Sequence, residues 1–299
     1  MIKMFLEDIG AHPNHTTWAP LYEGIVSNDR VVMVDSMDDA DYCVFHFLGR
    51  NENMPLEKTI YVDSDDQQQL QHNHKVKLYL KRSMVSSIQE GGSRIKHEYP
   101  EYVKPFSHTC VLNDLKNKTS SFNEDRMYDV ISTLREPSGP WAQAKGGYHY
   151  LSNYLRTDLQ KELRKVFLNS EWNISFEEFN DSNSGDFETS YINHLKNSKI
   201  IVTMNPFCWE GDNRLYESLA CGAMVFCDQL YVDIPDKFID GKHLIYYNAL
   251  DVDALYHQIL YYLENQDELN RIARAGYEFV QEFHSSSGRI DQILNYLDS

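Results

Sequence analysis

The sequence predicts an α/β protein with two parallel sheets, and three observations support that class. Short apolar runs of strand length recur along the chain between segments of helix or loop length. The stretch 199–228 gives strand, polar loop, helix, glycine and strand in that order, which is a parallel βαβ unit. A polar segment at 113–124, rich in Lys, Asn and Ser, divides the chain and is interpreted as an interdomain linker.

The first predicted domain covers residues 1–115 and opens with a strand. Its one predicted helix spans 17–27. Apolar runs bounded by polar residues predict its strands at 2–7, 31–34, 41–47, 59–63 and 77–80. The first strand leads into a loop that contains Asp8, His12 and His15.

The second predicted domain covers residues 125–285, and residues 286–299 are predicted to contain a closing helix. In the helix at 253–265 the apolar residues recur on one face, and Asp251 or Asp253 supplies the N-cap. The strands of this domain are predicted at 128–135, 172–179, 199–204 and 223–228. Its helices are predicted at 151–168, 187–197, 214–221, 253–265 and 267–282.

Composition and charge narrow the class of function. The 299-residue chain carries a formal net charge of −17, which disfavours nucleic acid and anionic lipid because both are bound through clustered Lys and Arg. No apolar run is long enough for a transmembrane helix, and charged residues interrupt the N-terminus too early for a signal peptide. We therefore expect a cytoplasmic protein without a nucleic-acid partner. The five cysteines lack paired spacing, so reduced thiols are expected.

The most informative stretch lies between the two strands of the βαβ unit. Ligands of parallel sheets bind outside the carboxyl ends of the strands, where helix N-termini point. Here that place holds Glu210, Asp212, Asn213 and Arg214, with Glu217 one turn into the helix. A cation and backbone N–H groups suit phosphates, and a carboxylate suits sugar hydroxyls. The order of residues therefore predicts a nucleotide-sugar site.

The same stretch carries a family resemblance. Arg214, Glu217, Ala220 and Gly222 match the pattern R-x-x-E-x-x-A-x-G of the C-terminal half of GT-B glycosyltransferases. Residues 234–248 are similar to a segment that follows this helix in the family, and the resemblance covers roughly the last third of the chain. It implies two Rossmann-like domains that face a cleft, with the C-terminal helix crossing back to the N-terminal domain. It also implies a donor site on the second domain and an acceptor site on the first.

The resemblance assigns roles to the carboxylates. Glu217 is expected to accept hydrogen bonds from the ribose hydroxyls of the donor. In retaining relatives a second glutamate, separated from the first by seven intervening residues, contacts the transferred sugar. Here Glu210 and Glu217 are separated by six intervening residues, so the spacing departs from the family pattern, and Asp212 is the alternative. The choice between retaining and inverting chemistry stays open.

Two arginines are expected to hold the diphosphate of the donor. Arg214 lies at a helix start, where the helix dipole disfavours a cation and a bound anion would compensate. The alternative is an ion pair of Arg214 with Glu210, Asp212 or Glu217. Arg135 ends the first strand of the second domain, and it either stabilises the leaving group or caps a strand at the surface.

The acceptor side offers several candidates for a catalytic base. In inverting relatives a residue of the first domain removes the proton of the acceptor hydroxyl. His15 and His12 have a suitable pKa for this step, and Asp8 and Glu7 are rivals.

No metal or cofactor is predicted. The run 63–66 superficially resembles the D-x-D metal motif of the other glycosyltransferase fold, but an acidic helix-capping turn is favoured there. Lys81 and Arg82 follow a strand and either touch the donor or form a solvated basic turn. No G-x-G-x-x-G fingerprint follows the first strand, which argues against NAD-dependent chemistry.

The predicted function is transfer of a hexose or pentose from a nucleotide diphosphate sugar to a hydroxyl of a glycan or glycoconjugate. UDP is the first expectation for the nucleotide and GDP the second. The alternative is a non-catalytic scaffold that keeps the fold and binds nucleotide or glycan.

Overall fold

The computed structural model divides the chain into two α/β units. The first unit comprises Met1–Leu112, Tyr231–Lys237 and Glu282–Ser299, and the second comprises Asn113–Leu230 and Phe238–Gln281. The structure describes residues 1–8, 18–46, 49, 53–65, 69–85, 87–90, 93–96, 98–109, 125–134, 148–176, 186–205, 211–234 and 236–299. The predicted linker at 113–124 lies outside these residues.

The first unit contains a six-stranded sheet with the strand order β2-β1-β3-β4-β5-β8. Every neighbouring pair in it is parallel. Its strands are β1 (Ile2–Leu6), β2 (Val31–Val34), β3 (Tyr42–His46), β4 (Thr59–Asp63), β5 (Leu78–Lys81) and β8 (Val103–Pro105). A separate antiparallel hairpin joins β6 (Ser87–Glu90) to β7 (Ser93–Lys96).

The first unit is completed by the end of the chain. Helix α1 (Trp18–Ser27) and the last helix, α7 (Ser286–Asp298), contribute to the same apolar core as β1, β3, β4 and β5. The two helices approach closely at Gly24, where a Cβ would lie 2.4 Å from the carbonyl oxygen of Ser286. Ser285 caps α7, because its hydroxyl accepts a hydrogen bond from the Gly288 N–H at 3.1 Å.

The second unit contains a five-stranded parallel sheet with the order β10-β9-β11-β12-β13. Strands β11 and β12 lie inside the sheet, and most of their apolar side chains are fully buried, which explains their continuous apolar sequences. The strands are β9 (Tyr128–Ser132), β10 (Ile174–Ser175), β11 (Ser198–Val202), β12 (Met224–Asp228) and β13 (Ile245–Tyr247). The helices are α2 (Tyr148–Val166), α3 (Asp186–Lys196), α4 (Asn213–Ala220), α5 (Val252–Glu264) and α6 (Gln266–Phe283).

Local sequence fixes the ends of the short helix α4. Asp212 is its N-cap, and the carboxylate of Asp212 accepts a hydrogen bond from the Leu215 N–H at 3.3 Å. The helix stops before Gly222, whose φ of +71° is a left-handed conformation that favours glycine. The turn from α4 into β12 therefore depends on this glycine.

Edge strands are where sequence and structure differ most. Strands β8, β10 and β13 contain two or three residues each and lie at sheet edges. Such short segments carry too few residues to show an alternating apolar pattern. As a result β8 and β13 are not predicted, and within 172–176 only Ile174–Ser175 form a strand. Among the described residues, no helix combines the length and apolar character needed to cross a membrane.

Candidate functional site

Polar side chains gather at the carboxyl edge of the sheet in the second unit. Thr133 follows β9, Thr203 and Asn205 follow β11, and Asp228 ends β12. All four side chains are buried, which is unusual for polar residues. Because ligands of parallel sheets bind at this edge, the cluster marks the candidate site.

Arg214 connects the start of α4 to the end of β9. Its Nε atom donates a hydrogen bond to Oδ2 of Asp212 at 2.6 Å, and its Nη2 atom contacts the same oxygen. Its Nη1 atom donates to the carbonyl oxygen of Thr133 at 3.0 Å. Burial lowers the pKa of Arg214, but Asp212, Tyr191 and Glu217 outweigh burial, so the pKa is raised. Of the two alternatives for this arginine, the ion pair with Asp212 is present.

Glu217 is held by a tyrosine that lies 26 positions earlier in the chain. The hydroxyl of Tyr191, on α3, donates a hydrogen bond to Oε2 of Glu217 at 2.9 Å. Burial, followed by the charge of Glu217, raises the pKa of Tyr191 well above its ordinary value. Tyr191 therefore stays protonated and orients the carboxylate of Glu217, which is half-buried. Tyr191 is not predicted from the sequence, because no local pattern connects it to Glu217.

Asn205 ties three parts of the site together. Its backbone N–H and its side-chain Nδ2 atom donate to Oδ1 of Asp228 at 2.7 and 2.8 Å. Its Oδ1 atom accepts a hydrogen bond from the Gly211 N–H at 2.7 Å. Gly211 directly precedes the N-cap of α4 and has a φ of +76°. Asn205 thereby fixes the start of α4 against the ends of β11 and β12.

Asp228 is a buried carboxylate with an unusual pKa. Burial raises the pKa of Asp228 to about 7, against the opposing effects of the Asn205 hydrogen bond and the positive charge of Arg156. Its Oδ2 atom is buried and has no hydrogen-bond partner among the described residues. The group is therefore partly protonated near neutral pH.

The structure describes some of the residues that the sequence singled out for the donor site and the catalytic base. Asp212, Asn213, Arg214 and Glu217 come together at the first turns of α4. Asp8 follows β1 in the first unit and is exposed. His12, His15, Arg135 and Glu210 lie outside the described residues, so the roles expected for them stay predictions.

The structure does not show a solvated basic turn at Lys81 and Arg82, because both residues are buried. Lys81 is fully buried, and its Nζ atom lies 3.0 Å from Oδ1 of Asp63, which is also fully buried. The hydroxyl of Tyr79 donates to Oδ2 of Asp63 at 2.5 Å. Asp63 and Lys81 are thus partners of each other inside the first unit. Among the described residues, no three His, Cys, Asp or Glu side chains group together as metal ligands.

Comparison with known proteins gives the family context. Residues 162–295 match the family model described as glycosyl transferase-like. No curated protein sequence matches the chain. Two solved structures of similar fold are an alpha-glucosyltransferase in complex with UDP-glucose and DNA containing an abasic site, and Alr3699/HepE of Anabaena in complex with UDP and glucose. A third is sucrose-phosphate synthase from Thermosynechococcus elongatus.

These likenesses extend over nearly the whole chain at low sequence identity. The alpha-glucosyltransferase is 8% identical with a TM-score of 0.57, and the match covers 99% of this chain and 98% of the alpha-glucosyltransferase chain. HepE is 13% identical with a TM-score of 0.54, and covers 100% of both chains. The synthase is 10% identical with a TM-score of 0.52, and the match covers 100% of this chain and 99% of the synthase chain. Such identities show the fold. Together with the family match they confirm the predicted GT-B fold and the predicted resemblance to GT-B glycosyltransferases.

One prediction about partners is wrong. The net charge led us to exclude nucleic acid, yet structures of alpha-glucosyltransferase with a similar fold contain DNA. Net charge is a sum over the whole surface, whereas nucleic acid binds to a local patch of cations. A formal charge of −17 therefore does not decide this question.

Proposed function

We propose that this protein transfers a sugar from a UDP-sugar to an acceptor hydroxyl, with UDP-glucose as the first donor to test and a GDP-sugar as the second. The observation that carries the proposal is the group at the start of α4, where Arg214, Asp212 and the Tyr191–Glu217 pair come together. Similar folds were solved with UDP or UDP-glucose, which supports the choice of nucleotide.

Glu217 is proposed to bind the ribose of the donor. The hydrogen bond from Tyr191 occupies one side of the Oε2 atom and fixes the direction of the carboxylate. A fixed carboxylate accepts hydrogen bonds from two neighbouring hydroxyls without losing side-chain entropy at the moment of binding. This geometry suits the 2′ and 3′ hydroxyls of a nucleotide.

The diphosphate is proposed to lie against the N-terminus of α4. The first turn of a helix presents backbone N–H groups and the positive end of its dipole. Arg214, and Arg135 in its predicted role, add positive charge, which stabilises the leaving group as the glycosidic bond breaks. Because this charge takes the place of a metal cation, transfer is proposed to need no metal ion.

The acceptor is proposed to bind the first unit, with His15, His12 or Asp8 as the base. UDP release is measured with two classes of acceptor. One is a panel of oligosaccharides, and the other is duplex DNA, because the alpha-glucosyltransferase was solved with DNA. Release of UDP that depends on one class of acceptor identifies that class.

Nucleotide binding is the first test. Melting temperatures are measured with UDP, GDP, ADP, CMP and dTDP for the wild type and for Glu217→Ala. A ligand at 100 times its dissociation constant adds about 2.7 kcal/mol to the free energy of unfolding. We expect stabilisation by UDP, or by GDP as the second choice, and its loss in Glu217→Ala. Glu264→Ala, an exposed glutamate of the same unit, is the control and should keep the effect.

Turnover separates an enzyme from a scaffold. A scaffold would be stabilised by the nucleotide but would neither transfer nor hydrolyse the sugar donor. Stabilisation by none of the five nucleotides would contradict the donor site itself.

A further inference from the structure

We propose that Arg156 is a second cation of the donor site and that it binds a phosphate group of the nucleotide donor together with Arg214. The inference rests on the proposed function and adds a residue to it. Arg156 lies in the middle of α2, among many charged residues, and no motif distinguishes it in the sequence.

Arg156 is buried where the candidate site lies. Only 7% of the residue is exposed, and its Nη2 atom donates to the carbonyl oxygen of Met204, beyond the end of β11, at 3.3 Å. A guanidinium group has five N–H donors. Within the described part of the chain, the Nε atom of Arg156 is buried without a hydrogen-bond partner. A buried donor of this kind costs free energy unless an acceptor arrives.

The charges around Arg156 identify the missing acceptor as an anion. Burial, and then the positive charge of Arg214, lower the pKa of Arg156 to about 10, while Asp212 and Asp228 act in the opposite direction. Arg214 is paired with Asp212. Among the described residues, no carboxylate lies within ion-pair distance of Arg156. Arg156 and Arg214 bind backbone carbonyl groups beyond the ends of two neighbouring strands, β11 and β9, while only Arg214 has a paired carboxylate. This arrangement is unfavourable unless a ligand supplies negative charge.

A phosphate group is the anion that fits these surroundings. Guanidinium groups bind phosphate oxygens through two parallel N–H bonds, and the nearby start of α4 favours the same charge. The buried hydroxyls of Thr133 and Thr203 lie at the same edge of the sheet and have no partner among the described residues. Since a hydroxyl donates to a phosphate oxygen, both can contribute to the same site.

The other role open to Arg156 is a structural one, in which it only supports Met204 and balances the charge of Asp228. The two roles predict different responses to ligands that differ in phosphate number. A phosphate-binding arginine affects the affinity for UDP and leaves that for uridine unchanged. A structural arginine affects both by the same factor.

The experiment measures the affinities of uridine, UMP and UDP by calorimetry for the wild type, Arg156→Met and Arg156→Lys. We expect Arg156→Met to weaken the affinity for UDP by at least about tenfold and to change the affinity for uridine by no more than about twofold. Arg156→Lys should lose less of the affinity for UDP, because lysine keeps the positive charge but not the planar pair of N–H donors. Arg164→Met is the matched control, since Arg164 lies on the same helix and also donates to a backbone carbonyl, that of Phe176.

Each remaining outcome counts against the proposal. Unchanged UDP affinity in Arg156→Met overturns it, as does an equal loss for uridine and UDP. If Arg156→Met does not fold, Arg156→Lys carries the same comparison, and an equal effect on the two ligands again overturns the phosphate role. If the wild type binds none of the three ligands, the proposed UDP donor is overturned together with this inference. If the wild type and Arg156→Met bind UDP with equal affinity, only the inference is overturned.

Discussion

The direction of a single carboxylate depends on Tyr191. Its hydroxyl donates a hydrogen bond to Glu217, and the ring belongs to a different helix from the carboxylate. The Tyr191→Phe change removes the hydroxyl and keeps the ring. We expect the KM for the donor to rise roughly three- to tenfold with little change in kcat, because in the proposed donor site a less ordered Glu217 would bind the ribose more weakly.

Steady-state kinetics with UDP-glucose measure this effect, and Tyr256→Phe is the control. Tyr256 is half-buried in the same unit and packs against Phe167 instead of a carboxylate. Equal KM values for wild type and Tyr191→Phe would show that Glu217 needs no support from the tyrosine.

The buried Asp228 makes stability depend on pH. Its pKa is about 7 in the folded protein against an ordinary value of 3.8, because burial disfavours its charged form. Between these values the unfolded chain releases the proton while the folded protein keeps it, so this contribution to stability falls as pH rises from about 4 to about 7. Asp228→Asn does not titrate and keeps an oxygen that accepts from Asn205.

We expect Asp228→Asn to gain stability relative to the wild type over that pH range, by at most about 4 kcal/mol. Urea unfolding at pH 4.5, 6 and 8 measures the difference, with the exposed Asp253→Asn as control. A difference that stays constant over this range, or shrinks as pH rises, would contradict the assignment.

At the scale of elements, the start of α4 depends on one residue with two roles. Asp212 caps the helix through Leu215 and forms the ion pair with Arg214. Asp212→Ala removes both interactions, whereas Asp212→Asn keeps a capping oxygen and loses the charge. We expect Asp212→Ala to lower the free energy of unfolding by about 2 to 4 kcal/mol and Asp212→Asn to lower it by less.

Chemical denaturation measures this difference, and α5 supplies the comparison. Asp251 caps α5 through the Ala254 N–H at 3.0 Å, and it is exposed. Asp251→Ala should therefore cost only the cap, about 1 kcal/mol. If Asp212→Ala cost no more than Asp251→Ala, the ion pair would add nothing to stability.

Elements with local signals are the ones that sequence predicts well. Helix α5 follows from an N-cap aspartate and apolar residues at helical spacing, and helix α4 follows from a helix-like run closed by Gly222. Their observed starts lie within two residues of the prediction. The site is different, because its contacts join distant parts of the chain. Glu217 meets Tyr191 across 26 positions, and Arg156 meets Met204 across 48. Local pattern carries no information about such pairs, so the motif identifies Glu217 but not its partner.

At the scale of the whole molecule, the first unit depends on close packing between α1 and α7. Gly24 permits this packing, since a Cβ at that position would lie 2.4 Å from a backbone oxygen of α7. We expect Gly24→Ala to destabilise the protein by about 1 to 3 kcal/mol, because a backbone atom cannot rotate away as a side chain can. Urea unfolding measures the change.

Ser27→Thr serves as the control, because it adds one methyl group at an exposed position of the same helix. The affinity of the folded Gly24→Ala protein for UDP should match that of the wild type, since the proposed donor site lies in the second unit. Wild-type stability in Gly24→Ala would show that the helices separate at little cost.

The assignment of α7 to the first unit also governs the order in which a ribosome can produce the two units. All residues assigned to the second unit, up to Gln281, are synthesised before α7. The apolar side of α1, which contains Leu21 and Ile25, stays uncovered until its packing partners Ile290, Ile293 and Leu294 have been synthesised. The unit that is begun first is therefore finished last, and during that interval its uncovered helix is a target for chaperones and a risk for aggregation.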